Sequence, residues 1–189
     1  LIFGIVLNVI SFVAFWTIVN LLSALLTLGA TLFYVFIYTL WLKRTSTQNI
    51  VIGGAAGALP PIIGWAAVQG NIGLPSLYLF AIIFFWTPPH FWALSILLEK
   101  DYANANIPML NVVMGIGETR KFIMMHSIIL VALTILFYTV PQLGLFYLVS
   151  ALILNVYFLY LGIKLWQSQD HLSARKLYLY SLLYLMLLL

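Results

Sequence analysis

Residues 21–44 read LLSALLTLGATLFYVFIYTLWLKR, an uncharged run that ends at Lys43 and Arg44. A helix needs about 20 apolar residues to cross about 30 Å of hydrocarbon, so this run is long enough for one membrane span. A membrane β-strand would have about ten residues and would alternate polar and apolar side chains. The run is twice that length and apolar on all sides. We therefore predict a transmembrane helix.

The same pattern recurs along the chain. We identify seven apolar runs, at 1–19, 21–42, 50–69, 75–98, 121–140, 144–165 and 177–189. Six of them are long enough to span a bilayer, and the last is shorter. The sequence therefore predicts an all-α polytopic membrane helix bundle with seven transmembrane helices.

The composition excludes several other classes of protein. Of the 189 residues, 65% are apolar and 6% are charged, whereas a typical soluble domain has about 25% charged residues. A soluble globular domain, a disordered chain and a nucleic-acid binder are excluded on these grounds. Cysteine is absent, which also excludes disulfides, thiolate metal sites and cysteine nucleophiles.

The charged residues occupy only three of the connections between runs, at 43–44, 99–121 and 164–176. Alternate connections lie on the same face of a membrane, so all eight Lys and Arg residues would share one face. An excess of Lys and Arg marks the cytoplasmic side. No charge lies in the middle of a run, which argues against an ion transporter or pump. The pattern favours a functional site at the cytoplasmic mouth.

Two charged motifs at this predicted face could bind a phosphate and a metal. Lys43 and Arg44 precede hydroxyl and amide side chains that end at Asn49, which suits a phosphate group. The alternative is a pair of cations that only sets the membrane orientation. Glu99 and Asp101 offer the oxygen ligands that Mg²⁺ prefers, or they belong to an ordinary solvated loop. We expect residues 99–120 to form one long connection, either a lid or a simple linker.

The fourth run contains the sequence WTPPHFW at residues 86–92. If it is helical, His90 lies roughly 13 Å below the cytoplasmic end. Pro88–Pro89 would free two backbone carbonyls, and Pro60–Pro61 interrupts the preceding run. We expect both helices to be broken at a similar depth and to form a pocket there. The alternative is that His90 only binds a freed carbonyl.

Residues 38–54, 58–67, 86–94 and 101–110 resemble the protohaem IX farnesyltransferases (haem O synthases) of the UbiA prenyltransferase superfamily. The resemblance implies a nine-helix bundle in which the seven runs are the third to ninth helices. It implies that residues 1–189 form a single prenyltransferase domain. That domain would be truncated at its N-terminus, where the family has its first aspartate-rich motif, and also at its C-terminus.

The resemblance also implies the reaction and the roles of particular residues. Farnesyl would move from farnesyl diphosphate to a vinyl group of haem B, and water would add to give haem O. Asp101, Lys43 and Arg44 would be catalytic, and Asp101 with Glu99 would hold Mg²⁺. The expected substrate-binding residues are Tyr38, Lys43, Arg44, Asn49, His90 and Tyr102. Residues 1–189 alone should be inactive, because the family uses a second acidic loop.

The same resemblance implies a place in the bacterial cytoplasmic (inner) membrane. Its expected partners are farnesyl diphosphate, haem B, membrane lipid, and haem A synthase or terminal oxidase assembly, without nucleic acid. Bacterial relatives usually have Arg, Gly and Pro at the positions of Asn104, Asn106 and Asn111. These differences predict a changed anion contact at position 104 and a less rigid lid.

Three other functions fit parts of the sequence. A quinone or chlorophyll prenyltransferase of the same superfamily is the first alternative, and the sequence PPHFW at residues 88–92 favours haem over it. A small-solute membrane transporter would share only the apolar runs. A non-catalytic assembly factor would bind neither Mg²⁺ nor farnesyl diphosphate. Binding of farnesyl diphosphate that depends on Mg²⁺ distinguishes the enzymes from the other two classes.

Overall fold

The computed structural model describes residues 2–168 and 170–189, and within these ranges it contains helices and no strand. Leu1, which opens the predicted run 1–19, lies outside the described residues. The helices are α1 Ile2–Val19, α2 Leu21–Thr45, α3 Asn49–Gln69, α4 Leu74–Leu97, α5 Glu99–Asn104, α6 Leu110–Phe137, α7 Leu145–Gln167 and α8 His171–Leu188. The predicted all-α fold class is confirmed.

Six of these helices, α1–α4, α6 and α7, are long and apolar enough to cross a membrane. The chain is therefore an integral membrane protein. Helix α8 has 18 residues and starts six positions before the predicted run 177–189. Its start is fixed by Asp170, whose side chain accepts a hydrogen bond of 2.9 Å from the backbone N–H of Ser173. Such N-caps satisfy a backbone donor that the first helical turn leaves free.

The expected long connection over residues 99–120 is wrong. Helix α5 covers its first part, and α6 begins at Leu110, eleven residues before the predicted start of that run. Gly115, with φ of 82°, separates the first turn of α6 from the rest. Arg120 therefore lies on a spanning helix and is 9% exposed. The prediction that these charges lie between the helices thus fails for Glu118, Arg120 and Lys121, which all lie on α6.

Helix α5 ends in a compact C-terminal cap. The N–H of Asn106 donates to the carbonyl of Ala103, and the N–H of Ile107 donates to the carbonyl of Tyr102, both at 3.0 Å. Asn106 has φ of 53°, the left-handed conformation that this Schellman cap requires and that Gly or Asn adopts most readily. Asn106 can therefore occupy the position where bacterial relatives have glycine.

The start of α6 is bound to α4 by a reciprocal pair of hydrogen bonds. Ser95 Oγ donates to Asn111 Oδ1 at 2.8 Å, and Asn111 Nδ2 donates to the Ser95 carbonyl at 3.0 Å. Both side chains are buried. The prediction that Asn111 loosens this segment does not agree with this pairing, because the amide ties the segment to α4.

Helices α4, α6, α7 and α8 form a four-helix unit that contains the main core. Its largest fully buried side chains include Trp92, Phe158 and Tyr184. Asn155 links three of the helices, because it accepts from the Tyr184 hydroxyl at 2.7 Å and donates to Thr134 Oγ1 at 2.8 Å. Both polar atoms of this buried amide thus have a partner, as is usual for buried polar groups.

Helices α1, α2 and α3 form a three-helix unit that packs more openly. Helix α1 has no buried residue among those described. Residues Phe33–Leu42 of α2 are wound as a π-helix, and Thr39 Oγ1 donates to the carbonyl of Tyr34, five residues back. A π-helical stretch of this length is unusual, and shorter ones occur frequently at functional sites.

The two proline pairs act differently. Helix α3 is interrupted at Leu59, whose N–H donates to the carbonyl of Ala56, three residues back. The helix starts again at Pro60. Helix α4 continues through Pro88–Pro89 without interruption. The predicted break in α4 is therefore wrong. The flanking turn is held in part by Thr87 Oγ1, which donates to the carbonyl of Ile83 at 2.8 Å.

Candidate functional site

A cavity of about 290 Å³ lies where α2, α3 and α4 meet. Its wall contains four aromatic side chains, three glycines and three further residues: Tyr34, Tyr38, Trp86, Phe91, Gly53, Gly54, Gly57, Ile50, Ile83 and Thr87. The lining is therefore apolar with aromatic faces, which suits a hydrocarbon ligand. The sequence motifs at 38–54 and 86–94 supply most of this wall.

Two glycines of α3 make the cavity possible. A Cβ at Gly53 would overlap the ring of Tyr38, and one at Gly54 would come within 3.1 Å of Thr87 Cγ2. Glycine at these positions lets the Tyr38 ring lie against α3 and lets α4 approach closely. Small residues have this role in many membrane helix pairs.

Tyr34 and Tyr38 stand one above the other on the π-helical part of α2, with ring centroids 5.2 Å apart. The phenol of Tyr102 on α5 is close enough to that of Tyr38 to interact with it electrostatically. Burial raises the pKa of the Tyr102 phenol above its usual range, so it stays protonated and can donate a hydrogen bond. Helix α5 itself packs on α4 and α6.

The predicted phosphate-binding residues follow the cavity residues Tyr34 and Tyr38 along α2. Lys43 and Arg44 form the last turn of that helix, where Lys43 is half-buried and Arg44 is exposed. Within the described residues, neither forms an ion pair. Both cations are therefore available to an anionic ligand. Their position near the C-terminus of α2 also satisfies the helix dipole.

Asn49 begins α3, directly before the cavity residue Ile50. Its side chain is 1% exposed, and neither Nδ2 nor Oδ1 has a hydrogen-bond partner in the described part of the chain. Buried amides are nearly always paired in folded proteins. Asn49 is thus an unsatisfied polar group beside the cavity.

The two predicted metal ligands do not converge. Glu99 is half-buried and Asp101 is exposed, and both lie in the first turn of α5. Residues two positions apart point to different sides of a helix. Within residues 2–168 and 170–189 no group of three His, Asp or Glu side chains could hold a metal ion. Asp101 or Glu99 could still supply one carboxylate to a metal whose other ligands come from a substrate and water.

His90 faces α8 and does not line the cavity. Its ring lies between those of Trp86 and Tyr178, at centroid distances of 4.4 and 4.9 Å. The Ser181 hydroxyl donates to the carbonyl of Tyr178 at 2.6 Å, so His90 Nδ1 must donate to Ser181 Oγ at 2.7 Å. Nε2 then keeps its lone pair. The partner of His90 is a hydroxyl and not a carbonyl freed by proline.

Sequence reasoning missed Tyr34 and gave Phe91 no role of its own. The spacing of Tyr34 and Tyr38 was a usable signal, because residues four apart lie close together along a helix face. The proximity of Tyr102 to Tyr38 had no signal in the sequence, since the two residues lie on different helices, α5 and α2. Of the predicted site residues, Tyr38 lines the cavity, Asn49 directly precedes the lining residue Ile50, and His90 does not line it.

A family-level comparison matches residues 1–187 to the family described as "UbiA prenyltransferase family". A Roseiflexus (strain RS-1) protein is 52% identical over 185 residues, which cover 98% of this chain and 35% of that protein. A Synechocystis protein is 48% identical over 193 residues, 100% of this chain and 60% of its own length. A Stenotrophomonas maltophilia protein is 48% identical over 192 residues, 100% of this chain and 65% of its own length.

Each of these three relatives is named "Protoheme IX farnesyltransferase". The chain spans between about a third and just under two thirds of their lengths, 35% to 65%. No solved structure matches the chain. The resemblance found in the motifs is thus confirmed by relatives that match nearly the whole chain.

Proposed function

The chain belongs to the UbiA prenyltransferase family, and we propose that it transfers farnesyl from farnesyl diphosphate to a vinyl group of haem B, giving haem O. The observation that carries the proposal is the aromatic cavity, whose lining residues Tyr34 and Tyr38 are followed along α2 by Lys43 and Arg44, neither of which forms an ion pair in the described residues. The names of the relatives support the same substrates. An apolar cavity with a charged mouth fits a hydrocarbon chain that carries a diphosphate.

In this proposal the farnesyl chain occupies the cavity, and its diphosphate lies at the mouth. Lys43 and Arg44 bind the diphosphate oxygens, and the Tyr102 phenol donates a hydrogen bond to them. Arginine offers a planar pair of donors and lysine a mobile point charge, so the two together suit a group with several oxygens. Charge that develops on the leaving group is stabilised where these donors are already in place.

The divalent metal of the proposed reaction is Mg²⁺. Asp101 and Glu99 provide hard oxygen ligands on α5, and Mg²⁺ normally takes one or two carboxylates together with substrate phosphates. We assign the first role to Asp101, because it is the more exposed of the two. A bound Mg²⁺ would supply positive charge that favours departure of the diphosphate.

The aromatic wall has a chemical role in the proposal. Loss of diphosphate leaves positive charge on the allylic carbons of farnesyl. The faces of Tyr34, Tyr38 and Trp86 border the cavity, and aromatic faces attract cations, more strongly when water is excluded. These rings would therefore stabilise the allylic cation until the vinyl carbon attacks it.

His90 remains our proposed haem contact. Its Nε2 carries a lone pair, and its ring is stacked on Trp86, which lines the cavity. A porphyrin that reached this part of the bundle would meet the cavity wall from the α4 side. The alternative is that His90 only joins α4 to α8 through Ser181.

The proposed setting is the bacterial cytoplasmic membrane, with the charged connections and the mouth in the cytoplasm. The Lys and Arg residues concentrate on the ends of helices that would share one face, which the positive-inside rule assigns to the cytoplasm. Haem A synthase or a terminal oxidase assembly would then be the natural recipients of the product.

The test expresses the protein from its own gene in a strain that makes no haem O, and haem O is measured in extracted membranes. Asp101→Asn should lower haem O formation by about 100-fold, the scale seen when one group that stabilises transition-state charge is lost. Asp170→Asn is the matched control, because Asp170 is an exposed carboxylate whose capping role Asn can keep. Equal activity of both variants would remove Asp101 from the site.

A second experiment tests the diphosphate contacts. Lys43→Ala combined with Arg44→Ala should raise the KM for farnesyl diphosphate more than either change alone. Lys164→Ala with Lys176→Ala is the control, since it removes two cations from other helices. A double variant at 43 and 44 with unchanged KM and kcat would show that this pair only sets membrane orientation.

A further inference from the structure

The cavity wall contains three glycines of α3, and packing within the described residues explains only two of them. A Cβ at Gly53 would overlap the ring of Tyr38, and one at Gly54 would lie 3.1 Å from Thr87 Cγ2. Apart from the backbone of its own helix, a Cβ at Gly57 would meet no atom of the described residues within 4 Å. Gly57 is also exposed. What this glycine contributes to the cavity is therefore space.

The close approach of α3 to α4 gives the level of each wall residue. A short connection joins the two helices, so they run in opposite directions. Counted outward from the contact of Gly54 with α4, Ile50 and Phe91 lie at one end of the cavity. Gly57 and Ile83 lie at the other end. Positions 50 and 57 are seven residues apart, which is about 10 Å along a helix.

The two predicted phosphate-binding cations lie beyond the Ile50 end of the cavity. Helices α2 and α3 are also joined by a short connection and run in opposite directions. The contact between Gly53 and the Tyr38 ring places these two residues at one level. Lys43 and Arg44 follow Tyr38 along α2, in the direction of Ile50. A prenyl chain whose diphosphate is bound by this pair therefore enters at the Ile50 end and points toward the other end.

The length of a farnesyl chain can be compared with the length of this wall. Farnesyl consists of three isoprene units, each with four bonds along the chain. An extended chain advances about 3.5 Å for every three bonds, so one unit is roughly 4.5 Å long and two units are roughly 9 Å long. Gly57 lies about 10 Å from the Ile50 level. The third isoprene unit is then the part of the chain that passes Gly57.

We propose that Gly57 determines which length of prenyl chain the cavity accepts, an inference that rests on the proposed function. With hydrogen as its side chain, Gly57 leaves room for the third isoprene unit of farnesyl. A larger side chain would extend into this space, because no described atom occupies it. The first two isoprene units would keep their contacts with the rest of the wall. The position therefore distinguishes farnesyl from geranyl, which has only two units.

The experiment compares farnesyl diphosphate with geranyl diphosphate, which is shorter by one isoprene unit, in the variant Gly57→Leu. The protein is expressed from its own gene in a strain that makes no haem O. Binding of each diphosphate to the purified protein is titrated with Mg²⁺ present, and transfer to haem B is measured in membranes by mass spectrometry. The Kd for farnesyl diphosphate should rise about tenfold or more, because a single methylene group in an apolar pocket already changes selectivity on this scale. The Kd for geranyl diphosphate should stay near its wild-type value.

Gly64→Leu is the matched control on the same helix. Gly64 lies about two turns beyond Gly57, is exposed, meets no described atom within 4 Å and does not line the cavity. Its replacement should leave both dissociation constants unchanged. Adding Ile83→Ala to Gly57→Leu removes side-chain atoms from the same end of the cavity, so it should restore part of the affinity for farnesyl diphosphate.

If Gly57→Leu does not accumulate in the membrane, Gly57→Val replaces it, with a shift expected in the same direction. Equal weakening of the binding of both diphosphates would assign Gly57 to helix packing and overturn the inference. Wild-type binding of both diphosphates would also overturn it. In either case, farnesyl transfer to haem B by the wild-type protein leaves the proposed function intact. A wild-type protein that makes no haem O overturns the proposed function, and the inference with it.

Discussion

The four-helix unit is packed more closely than the three-helix unit, although the most apolar helix belongs to the three-helix unit. Helix α1 is the most apolar of the six membrane-length helices, yet none of its most apolar segment is buried. Helix α4 is the least apolar of the six, and half of its corresponding segment is buried. Apolar character therefore predicts which helices enter the membrane but not which helices pack together.

The polar side chains explain this difference. Lipid is as apolar as leucine, so helices associate through close packing and hydrogen bonds. Ser95 and His90 of α4 form hydrogen bonds with other helices. The polar side chains Asn8 and Thr17 of α1 donate only to carbonyls of their own helix. The four-helix unit is thus specified by interhelical hydrogen bonds, which the described side chains of α1 do not form.

The largest expected effect tests whether packing, and not hydropathy, stabilises the four-helix unit. Phe158→Ala removes a ring that is 0% exposed and packs on Tyr184 at 4.8 Å between centroids. It should lower the free energy of unfolding by about 3 kcal/mol, the scale of a large-to-small change that leaves a cavity. Unfolding is measured by titration with a denaturing detergent.

Phe146→Ala is the control on the same helix, because Phe146 is 87% exposed. It should change the free energy of unfolding by less than about 0.5 kcal/mol. Equal losses in both variants would mean that α7 is stabilised by its overall hydropathy, and the contrast between the two units would fail.

The next effect concerns the buried polar network. Asn155→Leu leaves the Tyr184 hydroxyl without its partner, whereas Thr134 still donates to the Val131 carbonyl, so the free energy of unfolding should fall by about 2 kcal/mol, the cost of stranding a buried polar group. Adding Tyr184→Phe removes one stranded group. The double variant should therefore be less destabilised than the two single changes added together, as a double-mutant cycle in the same titration will measure. Simple additivity would show that the network is not coupled.

A smaller effect on stability is expected in the three-helix unit. Gly53→Ala puts a methyl group where the Tyr38 ring lies, so the ring must move and the cavity must change shape. We expect a loss of about 1 kcal/mol in the free energy of unfolding, at the low end for overpacking, together with weaker farnesyl diphosphate binding. Gly64→Ala on the same helix meets no atom within 4 Å and serves as the control. Adding Tyr38→Ala should relieve the overlap, and no relief would rule out this contact as the cause.

The smallest effect is at the cap of α5, which packs on α4 and α6. Asn106→Gly should raise the free energy of unfolding by a few tenths of a kcal/mol, because glycine adopts a positive φ without steric cost. Asn106→Val should lower it by about 1 kcal/mol or more, since a β-branched residue is strained there. The same detergent titration measures both variants. A stable Val variant would mean that Asn106 does not need this conformation.

The spans were predictable because long apolar runs have few alternatives in a membrane. The predicted runs 1–19, 50–69 and 75–98 agree with α1, α3 and α4 to within a residue or two. The start of α6 was not predictable, because Asn111, Gly115 and Glu118 resemble loop residues when their partners are unknown. Asn111 becomes compatible with a buried helix only through Ser95, sixteen residues earlier.

The site residues divide in the same way. Lys43, Arg44 and Asn49 could be proposed from the sequence, because their charge, polarity and place after an apolar run are local properties. The partner of His90 could not, since Ser181 lies 91 positions along the chain. The burial of Asn49 was equally hidden, because it depends on how α2 and α4 close around the start of α3.

The Ser95–Asn111 pair has a consequence for engineering the protein. These two residues close residues 96–110 into a loop whose ends are pinned to the four-helix unit, so most of the entropy of loop closure is already lost in the fold. Because closure entropy depends only weakly on loop length, a replacement segment of similar size would meet little additional cost. The segment that contains helix α5 can thus be replaced as a unit. Acidic segments from relatives could be grafted between the same two anchor points to vary metal preference while the membrane bundle stays unchanged.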